Sequence, residues 1–433
     1  MTALPRRDFA LLFAVLLTVA AGNTALQSVL PSIARTIGIR PTLVAVVFSL
    51  SALLWTVSAP YWARQSDTRG RKRLMLTGVA GFAVSMTGCA VSILLGLRGA
   101  LGATAVFLSF TALRSLFGLF GSASNPAAQA YVAARTDAHE RTRALATLTS
   151  AFGLGTILGP GVAPFFEIRA LGLSAPMFAF AAIAVAVGTA LLLWLPDDDP
   201  THERTTLPHG APASMPSIAA SATGGSARAA AVGRRPPLRF RDPRVWPFMV
   251  YGFITGSVQA ATGQALGFLV IDAVGGSPAA AAKWVGIVLM VGAGATLFAQ
   301  WGLIRVLNPT ASALMRWGAA LAAAGLTSIA LAHGFTGIVA AYALTSLGYG
   351  FARPGFVAGA SLMVGEAEQG AVAGAVTSVN GACFIVAPTI GIGLYEMGGS
   401  YPYWLGAAVQ LVLLGYALFD PVLRRELGAA PAD

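Results

Sequence analysis

Two long apolar runs are joined by a short polar connection that reads Ala63-Arg64-Gln65-Ser66-Asp67-Thr68-Arg69-Gly70-Arg71-Lys72. In it an acidic residue, Asp67, precedes a glycine and two adjacent cations, Arg71 and Lys72. Gly70 permits a tight reversal of the chain because it lacks a Cβ, and the cations hold a membrane loop on the cytoplasmic side. A carboxylate such as Asp67 is stabilised by about 0.3–1 kcal/mol where it faces a helix N-terminus. The stretch therefore predicts a tight cytoplasmic turn between two membrane-spanning helices.

The composition of the whole chain agrees with a membrane environment. Hydrophobic residues make up 56% of the 433 positions and charged residues 10%, whereas soluble domains carry about 25% charged residues. So few charges cannot cover a water-facing surface of this size. The composition therefore excludes an ordinary soluble enzyme and favours a chain whose solvent is mostly lipid.

Apolar runs of the length needed to cross a bilayer, about 20 residues, occur twelve times. They lie near 8–34, 42–63, 74–97, 101–133, 144–166, 175–195, 246–271, 282–304, 312–332, 336–363, 371–395 and 401–420. The segment between the sixth and seventh runs is rich in Pro, Ser, Ala, Gly and Arg, and such a segment cannot bury enough apolar surface to order itself. We therefore predict an all-α membrane protein of twelve transmembrane helices in two six-helix bundles, residues 1–195 and 245–433, joined by a flexible cytoplasmic linker, residues 196–244. A regulatory or docking role for the linker is the alternative.

The distribution of Lys and Arg gives the orientation. If the N-terminus is inside, the cytoplasmic segments hold 21 of these residues and the outer segments hold five. Because positive charges are retained in the cytoplasm, both termini are expected there, in a bacterial-type inner membrane. The net charge of +11 is thus explained by topology. Nucleic-acid binding is not expected, since no concentrated basic face is visible.

The two halves also share residues at a constant offset of 228 positions. Six identities pair Glu140, Thr149, Ser150, Gly153, Ile157 and Pro160 with Glu368, Thr377, Ser378, Gly381, Ile385 and Pro388. About two would be expected by chance over that stretch. The match pairs span 5 with span 11 and indicates a duplicated six-helix unit.

The connection between spans 2 and 3 resembles the signature loop of the major facilitator superfamily, Gly-x-x-x-Asp-Arg/Lys-x-Gly-Arg-Arg/Lys. Asp67, Gly70, Arg71 and Lys72 match that pattern, while an alanine replaces its first glycine and a threonine its first basic residue. The resemblance implies that this loop is a latch between the two halves. It also implies that Asp67 faces the start of span 11, where the sequence 370–374 is small enough for close approach.

Two further stretches are similar to motifs of the same family. Arg114 in span 4 stands where the family carries an arginine linked to proton coupling, although a phenylalanine occupies the place of a common glutamine. In span 5, the run Gly153-Leu-Gly155-Thr-Ile-Leu-Gly159-Pro160-Gly161 resembles the motif of the family's antiporters, which export drugs and metabolites. The resemblance thus implies a drug/proton antiporter with Arg114 as the coupling candidate.

Polar residues at mid-depth are the candidates for a substrate cavity. They lie in spans 1, 4, 7, 10 and 11, most of which border the central cavity in this family: Asn23, Gln27, Asn125, Gln129, Tyr251, Gln259, Arg353 and Asn380. Each alone is equally explained by a hydrogen bond between helices. No Asp or Glu lies deep in any predicted span, so the sequence does not identify a proton-carrying carboxylate. Two intramembrane arginines without a deep acid favour an anionic cargo.

Other kinds of chemistry have no support in the sequence. The chain has no phosphate-binding GxxxxGK[ST] loop, and its two cysteines and four histidines show no metal-ligand spacing. We therefore expect no cofactor and no metal. A membrane-embedded enzyme would need a cluster of nucleophile and base residues within the spans, and none is present.

The expected function is secondary active export of a small molecule by alternating access, with protons as the coupling ion, by a monomer in the lipid bilayer. An exporter of a specific anionic metabolite or siderophore is the alternative. An importer or symporter of the same fold fits the span-5 motif less well.

Overall fold

The computed structural model describes residues 5–136, 138–166, 168, 170–197, 241–365 and 368–425. These residues form fourteen α-helices joined by short turns. The helices are α1 (Arg6–Ile37), α2 (Pro41–Arg69), α3 (Arg71–Leu97), α4 (Ala103–Phe120), α5 (Ser124–Ala134), α6 (Ala138–Val162), α7 (Ala175–Trp194), α8 (Trp246–Val274), α9 (Pro278–Leu297), α10 (Ile304–Leu307), α11 (Ala311–Leu331), α12 (Phe335–Leu362), α13 (Gln369–Met397) and α14 (Tyr401–Phe419). Most of the predicted linker lies outside the described residues.

The fourteen helices account for the twelve predicted spans, because two of the spans are each formed by two helices. Helices α4 and α5 form span 4, interrupted by a 3₁₀ turn at Gly121–Ala123, and α9 and α10 form span 8 around a π-helical segment at Phe298–Leu303. Eleven of the described helices are long and apolar enough to cross a membrane. Helix α6 occupies the place of the fifth span, and its first turns hold most of its charged residues. The all-helical prediction is confirmed.

Local sequence signals set many of the helix ends. Proline occupies the first turn of α2, α7, α8, α9 and α14, where its missing N–H costs no hydrogen bond. Helix α1 ends at Gly38 in the left-handed conformation, with φ of 82°. Helix α2 continues through most of the signature stretch, so that Gly70 alone, with φ of 87°, separates it from α3.

The helices pack as two groups, α1–α7 and α8–α14, and the outer surface of both is apolar. Large side chains are exposed there, for example Leu193, Trp301, Trp317, Val412 and Phe419. A continuous apolar surface of this kind would drive aggregation in water, and it is suited to contact with lipid tails. We call the end of the molecule where α1 begins and α14 ends the terminal end, and the opposite end the distal end.

Within the first group, α1 and α6 approach each other so closely that side chains are excluded between them. A Cβ at Gly155 would stand 2.6 Å from the backbone oxygen of Leu17, and one at Gly159 would meet the backbone of Ala21. Thr24 in α1 donates a hydrogen bond to Ala20 O at 2.9 Å. Because lipid supplies no hydrophobic drive for helix association, such close van der Waals packing is what holds membrane helices together.

The contrast between two glycines of α6 gives a test. Gly155→Ala should lower the stability of the purified protein by about 1–3 kcal/mol, because the new methyl group overlaps the α1 backbone. Gly153→Ala should be neutral or slightly stabilising, because no described atom lies within 4 Å of a Cβ at that position. Thermal unfolding in detergent measures both variants. Equal melting temperatures for the two would contradict the α1–α6 packing.

Candidate functional site

A cavity of about 50 Å³ lies at mid-depth between the two groups of helices. Helices α1 and α6 line it from the first group, and α8, α9, α12 and α13 line it from the second. Its described lining residues are Gln27, Thr156, Pro160, Gln259, Gly263, Leu289, Gly292, Ala293, Thr296, Tyr342, Ser346 and Phe384.

The distal end of the cavity is closed by polar contacts that join the two groups. Arg35 at the end of α1 donates through Nη2 to both carboxylate oxygens of Asp272 in α8, at 3.1 and 2.7 Å. The hydroxyl of Tyr395 in α13 donates to the same carboxylate at 2.6 Å. The guanidinium of Arg35 also stands 5.7 Å from the ring centroid of Phe268. The ends of α1, α8 and α13 are thus tied together at one point.

Helices α2 and α13 meet along the distal half of their length. The backbone N–H of Thr42 donates to Glu396 at 3.1 Å, and its hydroxyl donates to the second carboxylate oxygen. Two turns further in, the hydroxyls of Ser49 and Thr389 lie 3.1 Å apart. On the opposite side of the cavity, α6 and α9 meet where Gly286 packs against the backbone oxygen of Pro160.

Toward the terminal end the same helix faces have no such contacts among the described residues. Gly153 lies nearer the terminal end on the face of α6 that carries Pro160. Gly374 lies nearer the terminal end on the face of α13 that carries Thr389. No described atom lies within 4 Å of a Cβ at either glycine. Among the described residues, the polar contacts between the two groups therefore lie in the distal half.

The ion pairs described at the terminal end link elements of the same group. Lys72 at the start of α3 pairs with Asp197, after α7, at 3.0 Å. Arg244, before α8, pairs with Asp242 at 2.8 Å and with Glu368, before α13, at 3.0 Å. Hydrogen bonds from the Arg244 side chain lower the pKa of Asp242. The same bonds to Asp242, and those to Glu368, raise the pKa of Arg244.

The signature-loop residues lie at this terminal end. Arg71 and Lys72 are buried in the first turn of α3. Asp67 lies in the last turn of α2, and its side chain is outside the described part of the chain. Its predicted approach to the start of span 11 therefore stays a prediction.

Arg114 is 2% exposed and lies inside the first group. Its Nη2 donates to the side-chain oxygen of Asn23 in α1. Its guanidinium stands 4.4 Å from the ring centroid of Phe117 and 5.9 Å from that of Phe48. The Nε and Nη1 atoms of Arg114 have no hydrogen-bond partner among the described residues. A cation in this position is held by one amide and two aromatic faces.

Residues of the glycine-proline motif of span 5 face three neighbours of α6, which are helix α1, the cavity and helix α9. Gly155 and Gly159 press against α1, and Pro160 lines the cavity. Gly161 packs against Met290 of α9, whose sulfur would lie 2.8 Å from an added Cβ. Gly153 faces open space. The motif therefore lies where the first group meets both the cavity and the second group.

Of the eight polar residues suggested by the sequence, Gln27 and Gln259 line the cavity. The others are not among its described lining residues. Asn23 binds Arg114, and Gln129 donates to Asn125 at 3.0 Å within α5. Tyr251 is fully buried and donates to Met315 O at 2.6 Å. Arg353 and Asn380 are half-buried in α12 and α13.

Sequence reasoning missed the contributions of α9 and α12. Tyr342 and Ser346 lie four residues apart on one face of α12, and Thr296 of α9 donates to the backbone oxygen of Ser346 at 3.1 Å. The spacing of Tyr342 and Ser346 was a usable signal, because i and i+4 share a helix face. Nothing in the residue types of Leu289, Gly292 and Ala293 distinguishes them from lipid-facing residues.

Comparison with known proteins assigns the chain by both sequence and fold. A family model described as the Major Facilitator Superfamily matches residues 12–388. Multidrug resistance protein 2 of Bacillus subtilis is 27% identical over 179 residues, 41% of each chain. Multidrug resistance protein MdtG of Salmonella paratyphi B is 30% identical over 135 residues, 29% of this chain and 30% of that one. The matched regions therefore span less than half the length of these curated relatives.

Solved structures share the fold over nearly the whole chain. A bacterial homologue of the human lysosomal transporter Spinster, in an inward-facing and unoccupied conformation, has a TM-score of 0.70 at 12% identity and covers 100% of both chains. The xylose transporter XylE from E. coli, in a partially occluded inward-open conformation, has a TM-score of 0.65 at 14% identity, over 96% of this chain and 98% of that one. The human organic anion transporter MFSD10 has a TM-score of 0.62 at 19% identity, over 95% and 99%.

The cavity can be tested by filling it. No described atom lies within 4 Å of a Cβ at Gly263, which lines the cavity, or at Gly415 in α14, which is not among its lining residues. Gly263→Leu should abolish transport without loss of folded protein, because the new side chain enters the cavity rather than a packed interface. Gly415→Leu is the matched control and should transport normally. Transport by the Gly263 variant at the normal rate would exclude this cavity as the site.

Proposed function

The chain belongs to the Major Facilitator Superfamily, and from that membership we propose that this membrane transporter exports a small molecule by alternating access in exchange for protons. The observation that carries the proposal is the cavity at mid-depth between the two groups of helices, with the cross-group polar contacts of the described residues at its distal end. A site between two bundles that meet at one end at a time is the geometry of a rocking transporter.

We place the terminal end in the cytoplasm. The 21 cationic residues assigned to that side, against five on the other, support this orientation. In this orientation the described conformation faces inward, with the cavity separated from the outside by the contacts of Arg35, Thr42 and Ser49. Cargo then enters from the cytoplasm, and export requires these distal contacts to break while the terminal ends of the helices come together.

Export rather than import is supported by the span-5 motif and by the names of the relatives. The motif glycines Gly155 and Gly159 couple α6 to α1, so a movement of α6 against α9 also moves Gln27 of the cavity. The relatives that match part of the chain are named multidrug resistance proteins. We infer that the cargo leaves the cell.

Arg114 is our candidate for coupling the cycle to protons. It is buried against α1, the helix that carries Gln27 of the cavity and Arg35 of the distal closure. Its bond to Asn23 links span 4 to the same helix. A change in the hydrogen-bonding of Arg114 would therefore act on α1 directly. The guanidinium itself stays protonated at physiological pH, so Arg114 acts on the coupling without itself releasing the proton.

The direction and coupling can be tested in inside-out membrane vesicles with an acidic lumen. Adding a transported compound outside should accumulate it inside and make the lumen more alkaline, since protons leave as cargo enters. A pH-sensitive dye in the lumen measures the proton flux. Asp67→Asn should strongly reduce both fluxes while leaving membrane insertion intact, because the signature loop loses its carboxylate.

Each outcome of that experiment bears on one part of the proposal. Accumulation that ignores the proton gradient would contradict proton coupling. Cargo and protons that leave the lumen together would indicate symport. Normal fluxes in the Asp67 variant would contradict the latch role of the loop.

Alternating access can be tested by locking the distal end. The hydroxyls of Ser49 and Thr389 are 3.1 Å apart, so sulfur atoms in their places lie within reach of a disulfide. Oxidation of the variant with Ser49→Cys and Thr389→Cys should stop transport, and a reductant should restore it. Each single variant is the control, and the two native cysteines, Cys89 and Cys383, are free and buried. Full transport by the cross-linked protein would contradict a cycle that opens this end.

A further inference from the structure

The described lining of the central cavity carries no charge. It consists of two amides, four hydroxyl groups and six apolar residues, among them Leu289 and Phe384. An ionised ligand that leaves water for such a site loses its hydration without gaining a counter-charge, which costs several kcal/mol. The cavity therefore discriminates against cargo of either sign.

Two of the four hydroxyl donors are engaged with backbone oxygens of the protein itself. Thr156 donates to Gly153 O at 2.7 Å, and Thr296 donates to the backbone oxygens of Gly292 and Ser346, both at 3.1 Å. These threonines can still accept a hydrogen bond, but their protons are not available to a ligand.

The amide groups are different. Gln27 is 9% exposed, and its Nε2 has no hydrogen-bond partner among the described residues. A buried donor left unpaired is destabilising, and a ligand acceptor in the cavity would satisfy it. Gln259 is half-buried on α8, so the two amides belong to opposite halves of the transporter. Each offers both a donor and an acceptor.

The two arginines of the spans do not supply the missing charge to this cavity. Arg114 is held inside the first group by Asn23 and by the faces of Phe48 and Phe117. Arg353 lies seven residues after Ser346 on α12, which is two helical turns or about 10 Å along the helix axis. It stands between the cavity and the terminal end. Neither guanidinium is among the described lining residues.

We propose that the cavity takes an uncharged cargo that carries a hydrogen-bond acceptor such as a carbonyl or amide oxygen. Gln27 donates to that acceptor, Gln259 engages a second polar group of the same molecule, and Leu289 and Phe384 contact its apolar part. This assignment rests on the proposed function, because it takes the cavity as the transport site. It replaces the anionic cargo suggested by the arginines in the sequence.

The test uses three aromatic amides that differ in one substituent. A tert-butyl group, a trimethylammonium group of nearly the same shape and a carboxylate provide the neutral, cationic and anionic members. Binding to the purified protein in nanodiscs is measured by calorimetry, and transport is measured in the vesicles described above. The wild-type protein should bind the neutral compound about tenfold or more tightly than either charged one, a difference of about 1.4 kcal/mol.

Two substitutions of Gln27 then separate the effect of an added charge from the effect of the lost amide. Gln27→Glu keeps the size of the side chain and adds a carboxylate, so it should weaken binding of the neutral amide and strengthen binding of the trimethylammonium compound, each by about tenfold. Gln27→Ala removes the amide without adding charge. It should weaken the neutral compound and leave the cation as weak as in the wild-type protein. Melting temperatures confirm that each variant is folded.

The results that overturn the inference differ from those that overturn the proposed function. Wild-type binding of the cation or the anion that equals or exceeds binding of the neutral compound refutes an uncharged cargo. Equal gains in cation binding for Gln27→Glu and Gln27→Ala refute the contact with Gln27. Import, or flux independent of protons, refutes the proposed direction or coupling and leaves the charge preference measured in nanodiscs intact.

Discussion

Hydrocarbon offers no hydrogen bonds, and this constraint governs where every polar group of the chain lies. The backbone meets it by forming helices, whose N–H and C=O groups bond within the segment. Polar side chains meet it by pairing inside a bundle, as Thr255 does with Gln410 at 2.9 Å and Tyr251 does with Met315 O. An unpaired polar group that also lines the cavity, such as the Gln27 amide, is therefore a place where a ligand can complete the hydrogen bonding.

The same constraint bears on how helices pack inside each half and across the boundary between the halves. Inside each half, backbones approach closely at glycine, as at Gly155 against Leu17 and at Gly318, where a Cβ would stand 2.5 Å from the backbone nitrogen of Ala352. Such contacts fix the relative positions of helices because even a methyl group cannot enter. Across the boundary, a backbone approach of this kind is described where Gly286 meets the oxygen of Pro160, and polar side chains join the halves at the distal end. The close packing inside each half suits the halves to move as rigid units.

The sequence predicted the helices well because hydrophobic length is a local property. It also located the turn at Gly70 and the glycine motif of span 5, both of which depend on the absence of a side chain at one position. It could not predict which polar residues face the cavity, since that depends on the rotation of each helix about its axis. It depends on depth as well, since Asn23 and Gln27 are four residues apart and share a face of α1, yet Gln27 lines the cavity and Asn23 binds Arg114. The engagement of Arg114 by Asn23 needs the packing of two distant spans and has no local signal.

The strength of the distal closure sets the energy that the transport cycle must supply. The ion pair between Arg35 and Asp272 is 36% and 46% exposed at its two side chains, so it contributes about 0–1 kcal/mol. Each cross-group hydrogen bond, such as those of Thr42 and Ser49, adds about 0.5–1.5 kcal/mol. These polar contacts together therefore contribute a few kcal/mol to the closure. Reversing a two-state population from 1:99 to 99:1 takes about 5.5 kcal/mol, which is a comparable amount. A cargo shifts this equilibrium only if it binds one conformation more tightly than the other, so pairing of the buried Gln27 donor acts on distal opening only where that pairing differs between the two conformations.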